Sequence, residues 1–259
     1  MIFYFLGRLF EKSVSLLIYM EKIAIVLAGG LGKRMNSHLP KPAIKIGEKS
    51  MLQLVLDKLY QLGLTKIYVV YGKKGDLLKG SVVHDERIVW VEQEPQLGTG
   101  HAVQVAVRSV EEERGDVIVC NGDAPFVRRS TMERLIGGNS LLVCRVNNAS
   151  GYGRILEEEG EFVGIVEEKD ASEEQRKIRK INAGVYGFDL EMLKENVGKL
   201  DNNNAQKEYY LTDLMGIMVK NGERVRLEEI EDDGEIYNVN DMQQLEYAQT
   251  IAKNYLDDF

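Results

Sequence analysis

Cysteine, proline and tryptophan are scarce in this chain of 259 residues, which contains two, four and one of them, respectively. The cysteines, Cys120 and Cys144, each lie inside an apolar run (DVIVCNGD and LLVCRV), and neither belongs to a Cys-x-x-Cys pair. That placement argues against a cysteine metal site, and it favours two reduced thiols in the core of a cytoplasmic protein.

Basic side chains are also fewer than acidic ones. The 33 basic and 41 acidic side chains give a formal net charge of -8. Because like charges repel before contact, this balance disfavours a general role on nucleic acids or anionic membranes. A ligand that carries phosphate would therefore need a local basic pocket. The apolar content of 44% is enough for a sizeable core.

Long uninterrupted apolar runs are missing as well. Residues 1–19 are rich in large apolar side chains, but three charges interrupt them, at Arg8, Glu11 and Lys12. The segment is thus too interrupted to span a membrane, and its mid-segment charges and lack of an Ala-x-Ala site disfavour a signal peptide. Because Met20 directly precedes the first folded pattern, we interpret residues 1–19 as an N-terminal extension of uncertain role. A peripheral membrane-binding helix is the alternative.

Short β-branched runs alternate with helix-period stretches from Lys22 onward, which is typical of a mostly parallel sheet covered by helices on both faces. One helix is predicted where Leu52, Val55 and Leu59 recur at helical spacing, and another begins at Thr99, a plausible N-cap. The predicted strands are KIAIVLA, KIYVVYG, IVWVEQ and DVIVCNGD. We expect ligands to bind at the carboxyl ends of these parallel strands.

The pattern changes beyond residue 140. The runs SLLVCRV, GRILEE, EFVGIVEE and KINAGVYGFD follow with turns between several of them, which predicts mixed or antiparallel additions to the sheet. Helical periodicity returns at residues 189–200 and 208–220. A closing helix would then place four apolar side chains on one face: Met242, Leu245, Ala248 and Ala252.

A glycine-rich loop follows the first predicted strand, in the segment LAGGLGKRM. Its glycines can bring backbone N–H groups close to phosphate oxygens without obstruction by side chains. A dinucleotide fingerprint that begins at Gly30 would need a glycine where Met35 stands, and a P-loop would need Ser or Thr where Arg34 stands. A tight turn with solvated lysines is the alternative interpretation of the glycines alone.

Basic side chains are concentrated in and after this loop, although the chain as a whole is acidic. They are Lys33, Arg34, His38, Lys41 and Lys45. This local excess suits a triphosphate. Arg34 could hold two phosphate oxygens in a planar fork, and Lys41 supplies a mobile point charge on a backbone that two flanking prolines restrict.

With the Pro-Lys pair that follows it, the loop resembles the pyrophosphorylase signature of the sugar nucleotidyltransferase superfamily. Further motifs resemble the uridylyltransferase domain of bifunctional N-acetylglucosamine-1-phosphate uridylyltransferases: WVEQEPQLGTGHAV, CNGDAPF, GYGRI, IVEEKDAS, INAGVYGF and LDNNNAQKEYYLTDL. The resemblance implies an α/β fold with a Rossmann-like, doubly wound, mostly parallel sheet and a smaller mixed α+β lobe. Residues 20–259 would then comprise a nucleotide-binding part (about 20–140), a sugar-binding lobe (about 141–240) and a closing helix (241–257).

The same resemblance implies roles for individual residues on the nucleotide side. The implied nucleotide-binding residues are Leu27, Ala28, Gly29, Gly30, Gln93, Gly98 and Thr99. Gln93, Gly98 and Thr99 fall where the family reads uracil, and an amide with backbone groups can match that imide edge and reject cytosine. Taken alone, Gln93 would be a surface residue at a strand end. Arg34 and Lys41 would hold the phosphates as the catalytic residues.

Metal-binding and sugar-binding residues are implied in the same way. Asp123 and Asn240 match the metal ligands of the family, and a carboxylate with an amide oxygen suits Mg²⁺. Alone, Asp123 would be interpreted as a turn former. The implied sugar-binding residues are Asn121, Gly153, Glu167 and Asn182, with a weaker sugar-side role for Glu208, Tyr209 and Thr212. We expect His101 to be a helix-surface or structural residue and not a catalytic one.

The implied function is the joining of UTP to a sugar 1-phosphate, N-acetylglucosamine 1-phosphate being favoured, with Mg²⁺ as cofactor and pyrophosphate as the second product. Asn121 stands where the family often has tyrosine, which leaves the sugar preference open. No hexapeptide-repeat pattern occurs, so acetyl transfer is not expected. The alternatives are a uridylyl- or thymidylyltransferase for another sugar 1-phosphate and a non-catalytic UDP-sugar sensor. Neither nucleic-acid binding nor stable membrane insertion is expected, and the oligomeric state is not predicted.

Overall fold

The computed structural model describes residues 21–30, 35 and 37–256 of the chain. The extension predicted at residues 1–19 and the predicted catalytic residue Arg34 lie outside the described residues. The strands are β1 (Glu21–Leu27), β2 (Lys45–Ile46), β3 (Lys49–Ser50), β4 (Lys66–Tyr71), β5 (Ile88–Glu92), β6 (Gly115–Asn121), β7 (Ser140–Arg145), β8 (Arg154–Glu158), β9 (Glu161–Val166), β10 (Lys180–Asp189) and β11 (Arg226–Ile230).

Parallel strands form one half of the central sheet. Strand β1 pairs in parallel with β4 and β6, and β4 pairs in parallel with β5. Alternate side chains of a strand point to opposite faces, so Ile23 and Ile25 enter one core cluster while Ala24 and Val26 enter the other. All four are fully buried, which explains why β1 is a continuous apolar run. These strands confirm the predictions for the first half of the chain.

The other half of the sheet is mixed. Strand β10 runs antiparallel to β6 and β7, whereas β11 is parallel to β7. The strand order is β11-β7-β10-β6-β1-β4-β5, and the antiparallel β8–β9 hairpin joins it where β8 pairs with β10. In β10 the register shifts between Asn182 and Tyr186, and Gly184 has a φ of 75° there. The expected α/β fold with mixed additions is confirmed.

Helices connect these strands and cover the sheet. They are α1 (Met51–Gln61), α2 (Gly75–Lys79), α3 (Thr99–Val107), α4 (Arg129–Glu133), α5 (Glu173–Arg176), α6 (Leu190–Val197), α7 (Leu211–Lys220), α8 (Met242–Ile251) and α9 (Lys253–Leu256). Side-chain caps begin several of them: Ser50 accepts a hydrogen bond from the Gln53 N–H, and Asp189 accepts one from the Met192 N–H.

The predicted cap of α3 was wrong. The helix begins at Thr99 as expected, but its N-cap is Gly98, whose φ of 110° suits glycine. The Thr99 hydroxyl instead accepts a 3.1 Å hydrogen bond from the backbone N–H of Leu211, at the start of α7. The two residues are 112 positions apart, so this tertiary partner could not be read from the local pattern.

The closing helix α8 packs on a third core cluster. Ala248 is fully buried there with Met51 and Phe126, and Leu245 packs against the same cluster. Met242 was predicted on this face, but it is 55% exposed because it is the first helical residue, before the helix reaches the cluster. Within residues 21–256, no described helix combines the length and hydropathy needed to cross a membrane.

Both cysteines lie in the core. They are buried and unpaired, as the sequence predicts. Burial raises the pKa of the Cys120 thiol to about 12, so this thiol is protonated at neutral pH. A structural role therefore accounts for both residues.

Candidate active site

A cavity of about 310 Å³ lies at the carboxyl edge of the parallel strands, where the loops after β1, β5 and β6 meet. Of the predicted site residues, it is lined by Leu27, Gly29, Gly30, Gln93, Gly98, Thr99, Asn121 and Asp123. Ala28 does not line it, because its side chain is buried in the core and its N–H donates to the Val70 carbonyl. Among the described residues, eight of the predicted site residues therefore line one cavity.

The glycine loop is held by a residue that the sequence analysis missed. The Nε2 group of Gln96 donates a 2.8 Å hydrogen bond to the Gly29 carbonyl oxygen. A Cβ atom on Gly29 would lie 2.8 Å from that nitrogen, so a larger residue there would push Gln96 away. Gln96 also lines the cavity, and its place in the QLGTGHA motif was the only sequence signal for it.

Gln93 is fixed at the end of β5 with one face towards the cavity. It is 5% exposed, and its Nε2 lies 3.0 Å from both the Gly98 carbonyl oxygen and His101 Nδ1. Burial lowers the pKa of His101, which favours the neutral ring that can accept this bond at Nδ1. With both of its amide hydrogens engaged, Gln93 presents its Oε1 atom as an acceptor. The structural role predicted for His101 fits this geometry.

The loop at Gly98 rests against the NNNAQKEYYLTD motif. A Cβ atom on Gly98 would lie 2.6 Å from the Tyr209 carbonyl oxygen, so only glycine fits. The Gly100 N–H donates to that same oxygen at 2.7 Å, and the Tyr209 N–H donates to Leu97. Glu208 lines the cavity beside this loop. The motif therefore packs against the loop at Gly98 and contributes to the lining of the cavity.

Lys41 joins the two predicted metal-binding residues. Its Nζ atom lies 2.7 Å from Asp123 Oδ2 and donates a 2.9 Å hydrogen bond to Asn240 Oδ1. A carboxylate oxygen and an amide oxygen thus converge on one cationic atom, which is the donor set that a hard cation prefers. The described residues contain no group of three or more His, Cys, Asp or Glu side chains able to hold a metal. A metal at this pair would complete its shell with water and phosphate oxygens.

Three of the four predicted sugar-binding residues, Gly153, Glu167 and Asn182, lie together on the mixed side of the sheet. The Asn182 N–H donates to the Gly153 carbonyl oxygen at 2.9 Å, and a Cβ atom on Gly153 would lie 3.5 Å from Glu167 Oε1. Thr212 donates a 2.9 Å hydrogen bond to this same carboxylate oxygen. Burial raises the pKa of Glu167, and the bond from Thr212 opposes that effect. Asn121 lines the cavity, whereas Gly153, Glu167 and Asn182 are not among its lining residues.

A second and larger cavity, of about 1030 Å³, adjoins the first at Asn121 and Asp123. Its lining is rich in tyrosines and amides, and Asn240 is part of it. The segment that carries Asn240 is fastened to the β6 side by Arg128, whose guanidinium pairs with Asp232 at 2.7 Å and with the buried Glu235 at 3.3 Å. No sequence pattern indicated this connection.

Comparison with known protein families identifies the family of this chain. The MobA-like NTP transferase domain family matches residues 24–154, about half of the chain. The chain belongs to this family. The matched region of this NTP transferase contains the glycine loop, Gln93, the Gly98 loop and Asp123, so the predicted recognition as a nucleotidyltransferase is confirmed.

The MobA-like NTP transferase also has a well-matched curated relative. This chain is 39% identical over 245 residues to the bifunctional protein GlmU of Clostridium beijerinckii. The match covers 92% of this chain and 53% of GlmU, so the chain spans about half the length of that relative.

Solved structures share the fold of this transferase. A UDP-glucose pyrophosphorylase structure in complex with UDP-glucose matches with a TM-score of 0.71 at 18% identity, over 91% of this chain and 99% of the other. A Bacillus anthracis protein assigned as a glucose-1-phosphate thymidylyltransferase matches with a TM-score of 0.67 at 20% identity, over 90% and 96% of the two chains. These likenesses support the Rossmann-like fold.

Proposed function

We propose that this MobA-like NTP transferase is a magnesium-dependent uridylyltransferase that converts UTP and N-acetylglucosamine 1-phosphate to UDP-N-acetylglucosamine and pyrophosphate. The observation that carries the proposal is the single cavity in which Gln93, the glycine loop and Asp123 meet. The side of this cavity at Gln93 suits a nucleotide base, and the side at the glycine loop and Asp123 suits phosphate groups. The 39% identity to GlmU adds to the motif resemblance with uridylyltransferase domains.

Selection of uracil rests on Gln93. Because its amide hydrogens are engaged by Gly98 and His101, its Oε1 atom would accept a hydrogen bond from the N3–H of uracil. Cytosine has an acceptor at N3, so it would leave the buried Oε1 opposite another acceptor. The proposed site should therefore prefer UTP to CTP.

In this proposal the glycine loop and the basic side chains near it bind the phosphates. The backbone at Gly29 and Gly30 would approach the triphosphate, and Arg34 and Lys41 would neutralise its charge. Asp123 and Asn240 would hold Mg²⁺, which when bound screens the charge on the reacting phosphates. These roles offset the repulsion between two polyanionic substrates.

The sugar would lie against Gly153, Glu167, Asn182 and Asn121. Glu167 can accept hydrogen bonds from sugar hydroxyls, and Asn182 and Asn121 can donate or accept. Glycine is required at position 153 because a Cβ atom there would lie 2.9 Å from Ile165 Cγ2, and this glycine brings the backbone close to the Glu167 carboxylate. This arrangement would hold the acceptor with its phosphate towards Asp123.

The proposed reaction is an in-line displacement without a covalent enzyme intermediate. An oxygen of the sugar 1-phosphate forms a bond to the α-phosphorus of UTP, and the bond from that phosphorus to the bridging oxygen breaks, releasing pyrophosphate. The nucleophile is already an anion at neutral pH, so no general base is required. The protein accelerates the reaction by alignment and by stabilising charge.

The test is pyrophosphate release by the purified protein, with UTP, CTP or dTTP and the 1-phosphates of N-acetylglucosamine, N-acetylgalactosamine and glucose, each with Mg²⁺ and with chelator. We expect metal-dependent turnover with UTP and N-acetylglucosamine 1-phosphate. Asp123→Asn should lower kcat by roughly 100- to 1000-fold, the typical effect of losing one charge-stabilising group. Asp116→Asn, at the opposite end of β6, is the control.

Each other outcome has a defined meaning. Turnover with a different sugar 1-phosphate would change the assigned sugar specificity and would still support the same class of reaction. Binding of UDP-N-acetylglucosamine without any turnover would favour a sensor. Normal activity of Asp123→Asn at limiting Mg²⁺ would contradict the role proposed for Asp123.

A further inference from the structure

Lys41 occupies the point at which the two proposed metal ligands converge. Its ammonium contacts Asp123 Oδ2 at 2.7 Å and Asn240 Oδ1 at 2.9 Å, and the Lys41 side chain is only 12% exposed. One positive charge is therefore already satisfied by the oxygen atoms that a divalent cation would use. Two cations that share one carboxylate oxygen repel each other strongly in a partly buried site.

The backbone of Lys41 is fixed, so only its side chain can move aside. The Lys41 N–H donates a 3.1 Å hydrogen bond to the Gly30 carbonyl oxygen, and Lys41 begins a short 3₁₀ turn whose Pro42 and Ala43 are buried. Pro40 restricts the backbone on the other side. The flexible four-carbon stem can nevertheless carry the ammonium from Asp123 towards the glycine loop.

We propose that Lys41 is the internal counter-ion of the Asp123–Asn240 pair, and that it competes with a divalent cation for these two oxygens. A nucleotide triphosphate on the glycine loop offers the ammonium a new anionic partner and frees the pair. Metal and nucleotide therefore bind with positive coupling, and the free protein binds metal weakly. This inference rests on the metal role proposed above for Asp123 and Asn240.

The coupling between metal and nucleotide binding arises because the Lys41 ammonium exchanges one anionic partner for another. Without nucleotide, metal binding must break two contacts of a largely buried ammonium and leave that charge without a partner. With nucleotide, the same ammonium is neutralised by phosphate, and the carboxylate is available. By thermodynamic linkage, each ligand then strengthens binding of the other by the same factor.

The test is a titration of the full chain with Mn²⁺ and no nucleotide, followed by electron paramagnetic resonance of the free ion. Lys41→Met removes the competing charge, and we expect it to bind Mn²⁺ at least tenfold more tightly than the unaltered protein. Lys41→Arg keeps the charge and should remain weak. Lys49→Met, which breaks a Lys–Asp ion pair of 2.6 Å with Asp57, is the matched control and should leave Mn²⁺ affinity unchanged.

Asp123→Asn separates failure of this inference from failure of the metal assignment. If Asp123→Asn in the Lys41→Met background removes the tight Mn²⁺ binding, both proposals are supported. If Lys41→Met binds Mn²⁺ no more tightly than the unaltered protein, while Asp123→Asn weakens binding, the competition is wrong and the metal site stands. If Asp123→Asn has no effect on Mn²⁺ affinity in either background, the metal assignment itself is wrong. Thermal unfolding confirms that each variant is folded.

Discussion

The hydroxyl of Thr212 donates a 2.9 Å hydrogen bond to Glu167 Oε1, and so it fixes a carboxylate on the proposed sugar side. Hydrogen bonds to charged groups contribute about 1.5–3 kcal/mol. Thr212→Val should therefore raise KM for the sugar 1-phosphate by about tenfold or more, while KM for UTP changes little. Steady-state kinetics with each substrate varied in turn will show this difference.

The pH dependence of the Thr212 variant distinguishes positioning from a loss of fold. Burial raises the pKa of Glu167 and the Thr212 bond lowers it, so Thr212→Val should move the acid limb of the sugar KM profile to higher pH. Thr65→Val removes a similar bond, of 2.6 Å, to Glu21 at the start of β1 and is the control. Equal increases in KM for both substrates, with no shift of the acid limb, would contradict the assignment.

Base selection depends on Gln93 and its two partners. Gln93→Ala should reduce kcat/KM for UTP by about 10- to 100-fold, because a site built around a hydrogen bond loses that bond. The preference for UTP over CTP should narrow at the same time. Gln104→Ala, which removes a bond to Val197 on the other side of α3, is the control. An unchanged UTP/CTP ratio in the Gln93 variant would rule out direct reading of the base.

Arg128 connects the segments that carry the two proposed metal ligands. It lies after Asp123, and Glu235, with which it pairs, lies before Asn240. Arg128→Met should raise the Mg²⁺ concentration required for half-maximal activity by roughly tenfold, as loss of groups that support metal ligands usually does. Arg134→Met breaks a remote pair with Glu228 at 2.9 Å and serves as control. An unaltered Mg²⁺ requirement would show that the connection is purely structural.

Asp213, in the YYLTD motif, should make stability depend on pH. Burial and the nearby Asp201 raise the pKa of Asp213 from 3.8 to about 6. The folded-state pKa exceeds the unfolded value, so ionisation destabilises the fold as pH rises through 6, and the penalty is absent below about 3.8. Asp213→Asn should thus be more stable than the unaltered protein at pH 8, by at most about 3 kcal/mol.

Urea unfolding at pH 8 and pH 4 measures this effect. The difference between Asp213→Asn and the unaltered protein should shrink to a small fraction of its pH 8 value at pH 4, which is close to the unfolded pKa of 3.8. The exposed Asp76→Asn is the control variant. A variant that is less stable than the unaltered protein at pH 8 would show that the carboxylate of Asp213 has a favourable partner in the fold.

The sheet could be predicted because its strands bury both faces. Runs such as KIAIVLA carry apolar residues at every interior position, and turn residues separate the runs, so these strands were visible locally. Strand β11 (Arg226–Ile230) was not predicted, because its sequence RLEEI has charged residues at three of five positions. The loops at the carboxyl ends of the parallel strands then had to meet at one edge. Strand direction therefore places Gln93 and Asp123 at the same edge of the sheet, where both line the cavity.

Contacts between distant parts of the chain could not be predicted in the same way. Lys41 and Asn240 are 199 positions apart, and nothing in either local sequence shows that their side chains touch. Gln96 was not singled out from the sequence, although it donates a hydrogen bond to the Gly29 carbonyl oxygen. Thr99 looked like a helix cap because its true partner, Leu211, lies in another motif. These roles depend on contacts between residues that are far apart in the sequence.

The central claim is best tested by a single competition reaction. The purified protein is incubated with UTP, Mg²⁺ and equal concentrations of the 1-phosphates of N-acetylglucosamine, N-acetylgalactosamine and glucose, and the nucleotide sugars formed are separated by anion-exchange chromatography. The proposed function predicts that UDP-N-acetylglucosamine is the main product and that its formation stops when Mg²⁺ is chelated. A main product built on another sugar, or no nucleotide sugar at all, would contradict it.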